Sequence, residues 1–199
     1  RGGAIISENY RPMRSMRIRQ QQQRFVKQAI AKKAAELVEP DEVIFIDAGS
    51  TCQLIARHIV SKDLLAITNS IDVISSLCLS EHVSVCILGG NLRKRTGAMI
   101  GPAAVRSLEQ YRITTCFIGA TGFDHEGRFS SSNTLESELK HQVLLQSKRR
   151  VIVSDSTKYL SQAYSIFAQP EEVDLLITDS DFPEAEHYRS MGITTLMVT

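Results

Sequence analysis

Val43-Ile44-Phe45-Ile46-Asp47-Ala48-Gly49-Ser50-Thr51 joins four β-formers to an acid, a flexible glycine and two hydroxyls. Directly after it, residues 53–60 carry Leu54, Ile55 and Ile59 at helical spacing, with Arg57 and His58 between them. A strand that turns through glycine and Ser/Thr into a helix leaves backbone N–H groups unpaired at the helix start. Those donors, the hydroxyls and the positive end of the helix dipole suit an anion, most often a phosphate. The same residues also suit a plain N-cap at Ser50 or Thr51. The segment by itself leaves both readings open.

Working outward, the chain alternates between β-rich runs and helical patterns. Helical spacing is predicted over 24–38, where Val26, Ile30, Ala34 and Leu37 share a face while Lys32, Lys33 and Glu36 point away. Further helices are predicted over 71–79, 102–110, 134–148 and 183–191, with Pro102 and Pro183 where a first helical turn tolerates proline. Strands are predicted over 64–68, 83–88, 115–118, 151–153, 173–178 and 193–198. Near-continuous apolar strands alternating with helices argue for an α/β fold: a mostly parallel sheet covered by helices on both faces. Ligands of such sheets bind outside the carboxyl ends of the strands.

Composition narrows the function classes. No apolar run approaches the roughly 18 residues of a membrane helix, and the basic, polar start lacks the apolar region of a signal peptide. Cys52, Cys78, Cys86 and Cys116 are scattered and read as buried free thiols in a reducing cytoplasm. The five histidines show no zinc-ligand spacing, so neither a metal nor a cofactor is expected. The net charge of +1 is unevenly spread: residues 1–27 hold six arginines and Lys27 against Glu8, a net +6, which leaves −5 for the rest. A mildly acidic body is not a nucleic-acid-binding domain in its own right. Residues 1–23, with Gly2-Gly3, Pro12 and Gln20 to Gln23, read as a basic linker or arm, and residues 24–199 as the folded domain.

The expected strand ends collect polar residues into one surface. They comprise Asp47 to Thr51, Thr68-Asn69-Ser70, Gly89-Gly90 followed by Arg93-Lys94-Arg95, Gly119 to Gly122, Ser154 to Lys158 and Thr178-Asp179. Any one of these suits turn chemistry, whereas their recurrence describes a hydroxyl-rich pocket. Arg93 to Arg95 fits a solvated basic loop as well as a cation source. Lys158, after a strand and an Asp-Ser-Thr turn, is placed to swing its ammonium over the strand ends, where a compact point charge suits a phosphate.

Arg1-Gly2-Gly3-Ala4, IFIDAGST (44–51), ITNS (67–70), LGGNLRKRTGAMIGP (88–102), CFIGATGFD (116–124), ESELK (136–140), VSDSTK (153–158) and LLITD (175–179) occur in order. Together they resemble the C-terminal sensor domain of DeoR-type bacterial transcriptional regulators, over nearly the whole chain. The resemblance implies a fold similar to the ribose-5-phosphate isomerase/CoA-transferase-like group. It also implies a winged helix-turn-helix joined near the R-G-G-A segment and lying outside this chain. The partner implied is a phosphorylated sugar or related metabolite, with DNA reached only through that other domain, no membrane, and a homo-oligomeric assembly. By position, Gly49, Ser50 and Thr51 would bind phosphate with Asp47 bordering. Thr68, Asn69, Gly89, Gly90 and Arg93 would line the pocket. Gly119, Gly122 and Asp124 would border the sugar, Glu138 and Lys140 would face it, and Lys158 would complete the anion site. Thr114, where the family often has Asp, and Thr157-Lys158-Tyr159, where it often has Ser-Lys-Phe, are departures that bear on ligand identity.

Relatives of this fold with isomerase activity need a placed carboxylate base and a polarising partner, and they carry an Asp-Gly-Ala-Asp-Glu sequence after the fourth strand. Here Gly119-Ala120-Thr121-Gly122-Phe123-Asp124 has no paired carboxylates. The main expectation is therefore a non-enzymatic effector sensor of a sugar-metabolism repressor, without catalytic residues. A phosphosugar isomerase-like enzyme is the alternative, and a dimerisation module with a vestigial pocket is a third reading.

Overall fold

The computed structural model describes residues 16–161 and 163–199. Two helices, α1 (Met16–Gln21) and α2 (Arg24–Glu36), precede β1 (Val43–Ile46), α3 (Ser50–His58), β2 (Leu64–Thr68), α4 (Ile71–Leu77) and β3 (Val83–Ile87). A hairpin follows, β4 (Asn91–Arg93) and β5 (Ala98–Ile100), then α5 (Pro102–Leu108) and β6 (Ile113–Gly119). β7 (Gly122–Phe123), β8 (Phe129–Ser131), α6 (Thr134–Leu145), β9 (Ser147–Val153) and β10 (Ser165–Ala168) come next. The order closes with β11 (Leu175–Asp179), α7 (Ala185–Ser190) and β12 (Thr194–Val198).

The main sheet has seven strands in the order β12-β11-β9-β6-β1-β2-β3, and every pairing within it is parallel. Side chains alternate across a strand, so each face of the sheet builds its own core. Ile44, Ile46, Ala66, Phe117, Val151, Val153 and Ile177 pack with Ile30, Ala34, Ile55 and Val73 from α2, α3 and α4. Phe45, Ile67, Cys116, Ile118, Ile152 and Leu176 pack with Leu108, Leu139, Val143 and Tyr188 from α5, α6 and α7. Ile44, Phe45 and Ile46 are buried, and a fully buried side chain of this size contributes roughly 1.5–3 kcal/mol. That burial is why the opening segment forms a central strand.

The strand order also fixes where a ligand would sit. From β1 the chain winds outward through β2 to β3, then returns to lay β6 on the other side of β1 before continuing outward through β9, β11 and β12. β1 and β6 therefore flank a topological switch point, where the loops above adjacent strands leave in opposite directions and open a crevice.

The predicted elements correspond to observed ones, with shifted ends. The helix predicted over 134–148 stops at Leu145, because Ser147 and Lys148 already belong to β9. The helix predicted from Pro183 begins at Ala185. Cys78 is exposed at the end of α4 and Cys86 is half-buried, so only Cys52 and Cys116 fit the expected buried thiols. The hairpin β4–β5 and the small antiparallel sheet β10-β8-β7 were not expected. Their strands are two to four residues long, too short for a period-two pattern to show. Most of the expected arm lies outside the described residues. Its described part, α1, is helical, and Gln20 Nε2 on α1 donates to Gln53 Oε1 on α3 at 2.9 Å.

Candidate functional site

The turn from β1 to α3 is the foundation of the site. Asp47 N donates to Phe117 O (3.0 Å), and Ala48 N donates to Asn69 Oδ1 (3.1 Å), which fixes the turn to both neighbouring strands. The N-cap residue of α3 is Gly49, in extended conformation, and among the described residues no side chain caps the helix. Ser50 and Thr51 sit inside the first turn instead of capping it, which removes the plain N-cap reading. First-turn N–H groups of a helix have no partner within it and suit an anion.

Arg19, Lys27, Gly49, Ser50, Thr51, Cys52, Gly119, Ala120, Val153, Ser154, Asp155 and Lys158 line one pocket above β1, β6 and β9. Among the described residues its charged lining is Arg19, Lys27, Lys158 and Asp155. Lys27 Nζ lies 4.0 Å from Asp155 Oδ2. Burial pushes the Lys27 ammonium down to about 8, Asp155 opposes this, and Lys158 and Arg19 add to it. Burial likewise lowers Arg19, against the attraction of Glu136 and Asp47. Lys27 is buried while Arg19 and Lys158 are half-buried, and cations so placed favour a nearby anion. Ser154 Oγ is buried and has no hydrogen-bond partner among the described residues, a rare condition for a hydroxyl and one that a ligand atom would relieve.

Besides Asp155, which accepts from Thr157 Oγ1 and faces Lys27, the buried acids Asp47 and Glu136 are engaged. Asp47 Oδ2 accepts from Gly119 N (3.1 Å) and pairs with the Lys140 ammonium, which also donates to Gly119 O (2.7 Å). Glu136 accepts from Arg93 Nη1 (2.9 Å), Thr96 Oγ1 (2.7 Å) and Ser131 Oγ (3.2 Å). The Cys52 thiol is raised well above its usual range, chiefly by burial and then by Asp47, so it stays protonated.

Of the residues singled out from sequence, Gly49, Ser50, Thr51, Gly119 and Lys158 line the pocket, with Asp47 and Lys140 joined to Gly119 beneath it. The others are placed elsewhere. Thr68 Oγ1 donates to Ile46 O (2.6 Å), and Asn69 ties Ala48 to Met99, so both brace strand ends. Gly90 turns at φ 125°, where a Cβ would stand 2.7 Å from Ile100 O, and Gly89 precedes it in the same turn. Gly122 lets the chain pass Ser161, whose carbonyl oxygen would meet a Cβ at 1.7 Å. Asp124 closes the β7–β8 turn, accepting from Arg128 N (3.0 Å) and Arg128 Nε (2.9 Å). Arg93 is spent on Glu136. Glu138 is exposed on the outer face of α6, and the inward acid is Glu136, one helical turn from Lys140. Sequence reasoning missed Arg19 and Lys27 as pocket residues, while Ser154 and Asp155 were among the strand-end residues it collected. Asp155 and Ser154 stood in the quoted VSDSTK motif, whereas nothing local marked Arg19 and Lys27.

Residues 22–180 match the profile of the DeoR C terminal sensor domain. The chain belongs to that family. Among curated relatives the sensor domain is 34% identical over 159 residues to the uncharacterized HTH-type transcriptional regulator YulB of Bacillus subtilis, covering 80% of this chain and 62% of that protein. It is 34% identical to the HTH-type transcriptional regulator GlpR of Haloferax volcanii (85% and 68% covered). It is 28% identical to the glycerol-3-phosphate regulon repressor of Escherichia coli (79% and 63%). The chain thus spans under two thirds of two of these relatives. Ribose 5-phosphate isomerase A from Methanocaldococcus jannaschii shares the fold of the sensor domain, with a TM-score of 0.51 and 17% identity over 68% of this chain and 54% of that one. So does the probable sor operon regulator from Shigella flexneri, with a TM-score of 0.53 and 13% identity over 85% and 90%. Among the described residues, no helix is long and apolar enough to cross a membrane.

Proposed function

We propose that this chain is the effector-binding domain of a cytoplasmic transcriptional repressor of a sugar-metabolism operon, and that it recognises a phosphorylated sugar or related metabolite in the pocket above β1, β6 and β9. The observation that carries the reading is the start of α3, with Ser50 and Thr51 in its first turn, facing a lining that holds Arg19, Lys27 and Lys158. A phosphate monoester carries about −1.5 to −2 at neutral pH, which suits cationic side chains. Its oxygens would take the first-turn N–H groups and the Ser50 and Thr51 hydroxyls, with Arg19, Lys27 and Lys158 around them and Asp47, Gly119 and Lys140 as the floor. In this reading residues 1–23 link a helix-turn-helix domain to the sensor at 24–199, and occupancy alters DNA binding in a homo-oligomer.

The engaged state of the nearby acids supports a sensor over an isomerase. A general base needs a carboxylate able to reach and accept a substrate proton. Asp47 is held by Lys140 and Gly119 N, and Glu136 by three donors. Thermal unfolding against a panel of phosphorylated sugars and their unphosphorylated parents tests the proposal. A ligand at about 100 times its dissociation constant stabilises the fold by roughly 2.7 kcal/mol. A shift with a phosphosugar, lost in Ser50→Ala or Lys158→Ala, is the expected result. No shift with any phosphorylated compound, or turnover of one, would contradict it.

A further inference from the structure

The polar end of β9 holds a hydroxyl that the described residues leave unanswered. Ser154 follows Val153, the last residue of β9, and its backbone N donates to Ile177 O on β11 at 3.1 Å. Ser154 is 3% exposed, and its Oγ has no hydrogen-bond partner among the described residues. Its neighbours show why. Gly119 pairs with Val153 in the β6–β9 register, so Gly119 and Ala120 bring no polar side chain to it. Asp155 is turned to Thr157 Oγ1 and Lys27 instead. Thr178 Oγ1 on β11 is another unpartnered buried hydroxyl, and the β9–β11 register, carried one residue past Val153 and Ile177, sets it beside Ser154. The two differ in one respect: Ser154 lines the pocket and Thr178 does not. A buried hydroxyl without a partner is costly, and one that opens on a pocket can be answered by what the pocket holds.

We propose that Ser154 is a specificity-determining residue of the pocket: its Oγ exchanges a hydrogen bond with a hydroxyl on the carbon chain of a phosphorylated polyol whose phosphate rests on the start of α3. This role rests on the phosphate reading of the pocket and adds which part of the ligand the domain reads. β9, β6 and β1 are consecutive in the sheet, so Ser154 stands two strand spacings, roughly 9–10 Å, from the end of β1 that leads into α3. Side chains alternate across a strand, which puts Ser154 on the face of Ile152, toward α5, α6 and α7. α3 lies on the other face, with Cys52 and Ile55 in that core. A ligand that touches both must pass over the end of β6, where Gly119 and Ala120 line the pocket without long side chains. A bare phosphate is too small for that span, whereas a phosphate ester with a chain of carbons covers it. A serine hydroxyl both donates and accepts, and a ligand hydroxyl can do both in return. A methylene at the same place would leave Ser154 Oγ unanswered, so the site rejects the deoxygenated analogue.

Calorimetric titration of the whole chain with inorganic phosphate, hexyl phosphate, glycerol 3-phosphate, ribose 5-phosphate and glucitol 6-phosphate tests this role, in wild type, Ser154→Ala and Thr178→Val. In wild type a hydroxylated ester should bind at least about tenfold more tightly than hexyl phosphate. In Ser154→Ala that advantage should shrink about tenfold, the scale of a lost hydrogen bond at a buried site, while inorganic phosphate and hexyl phosphate bind as before. Thr178→Val should leave every affinity unchanged, because its hydroxyl lies outside the pocket lining. Ser154→Ala that weakens inorganic phosphate and the esters alike would make Ser154 a phosphate contact and overturn the proposal. So would equal binding of hexyl phosphate and every hydroxylated ester in wild type, or an advantage that survives in Ser154→Ala or is lost equally in Thr178→Val. Wild type that binds no phosphate compound at all would instead overturn the pocket reading itself.

Discussion

Asp47 and Lys140 beneath the pocket, and Arg19 and Lys27 across it, are both charges withdrawn from water, but they are compensated in different ways. Asp47 and Lys140 answer each other, and Gly119 supplies both a donor and an acceptor to the pair. Arg19 and Lys27 stand side by side with Lys158, and Asp155 is the carboxylate that shares their lining. A closed pair of that kind belongs to the architecture, since removing one partner strands the other. Cations gathered in a pocket lining, by contrast, are placed to meet an anionic ligand. The contrast separates residues that shape the floor from residues that would hold an anion.

The largest expected effect falls on the floor. Lys140→Met should cost about 3–5 kcal/mol in chemical unfolding, because Asp47 is left charged and buried. Adding Asp47→Leu should return much of the loss, and failure to do so would show that the pair matters for more than charge balance. Gly122→Ala comes next at about 1–3 kcal/mol, since the added methyl cannot coexist with Ser161 O without a backbone shift. Its measured cost should be one of stability, because Gly122 does not line the pocket.

How much of this was legible in sequence follows the same division. The β1–α3 turn announced itself because strand, glycine, hydroxyls and helix are contiguous, and the parallel sheet because its strands are apolar throughout. Lys158 was legible because it follows its strand directly. Arg19 and Lys27 were not, since they reach the pocket by tertiary packing of α1 and α2 over α3, and a buried lysine looks like any other helix-face lysine. Glu138, expected to face the ligand, is exposed on α6 while Glu136 is buried. The ESELK motif offers two acids, and only the helical register, with Glu136 and Lys140 four apart on the inner face, decides between them. Asp124, Gly90 and Gly122 serve turns and a close chain approach here, and turn chemistry draws on the same residue types as ligand chemistry.

On the rim the expected effects are on binding. Lys158→Ala and Arg19→Met should each weaken phosphate binding about tenfold, the scale of a lost charged hydrogen bond, as read by calorimetry. Both should leave unfolding within about 1 kcal/mol of wild type. Equal losses of stability in rim and floor variants would erase the contrast. Lys27 adds a pH signature. Unfolded, it keeps its proton to about 10.5, and folded it releases it near 8. Between those values the unfolded chain binds more protons, so this group's share of stability rises with pH, and the cost of burying its charge is fully present below 8. A bound phosphate draws the proton back, so phosphate binding near pH 8 should take up a proton and weaken as pH rises. Calorimetry in buffers of different ionisation enthalpy reads that uptake, and Lys27→Met should abolish it. The smallest effect is expected at Glu138→Gln, with unchanged phosphate binding and stability within about 0.5 kcal/mol.

Backbone amide NMR of the isotope-labelled chain, titrated with a phosphorylated sugar and then with its unphosphorylated parent, tests the central claim most directly. The account predicts that the phosphorylated compound moves the amides of Gly49, Ser50, Thr51 and Cys52 most, with Gly119 and Ala120 following, and that the parent moves them far less. Equal shifts with both compounds, or shifts that leave the start of α3 untouched, would contradict it.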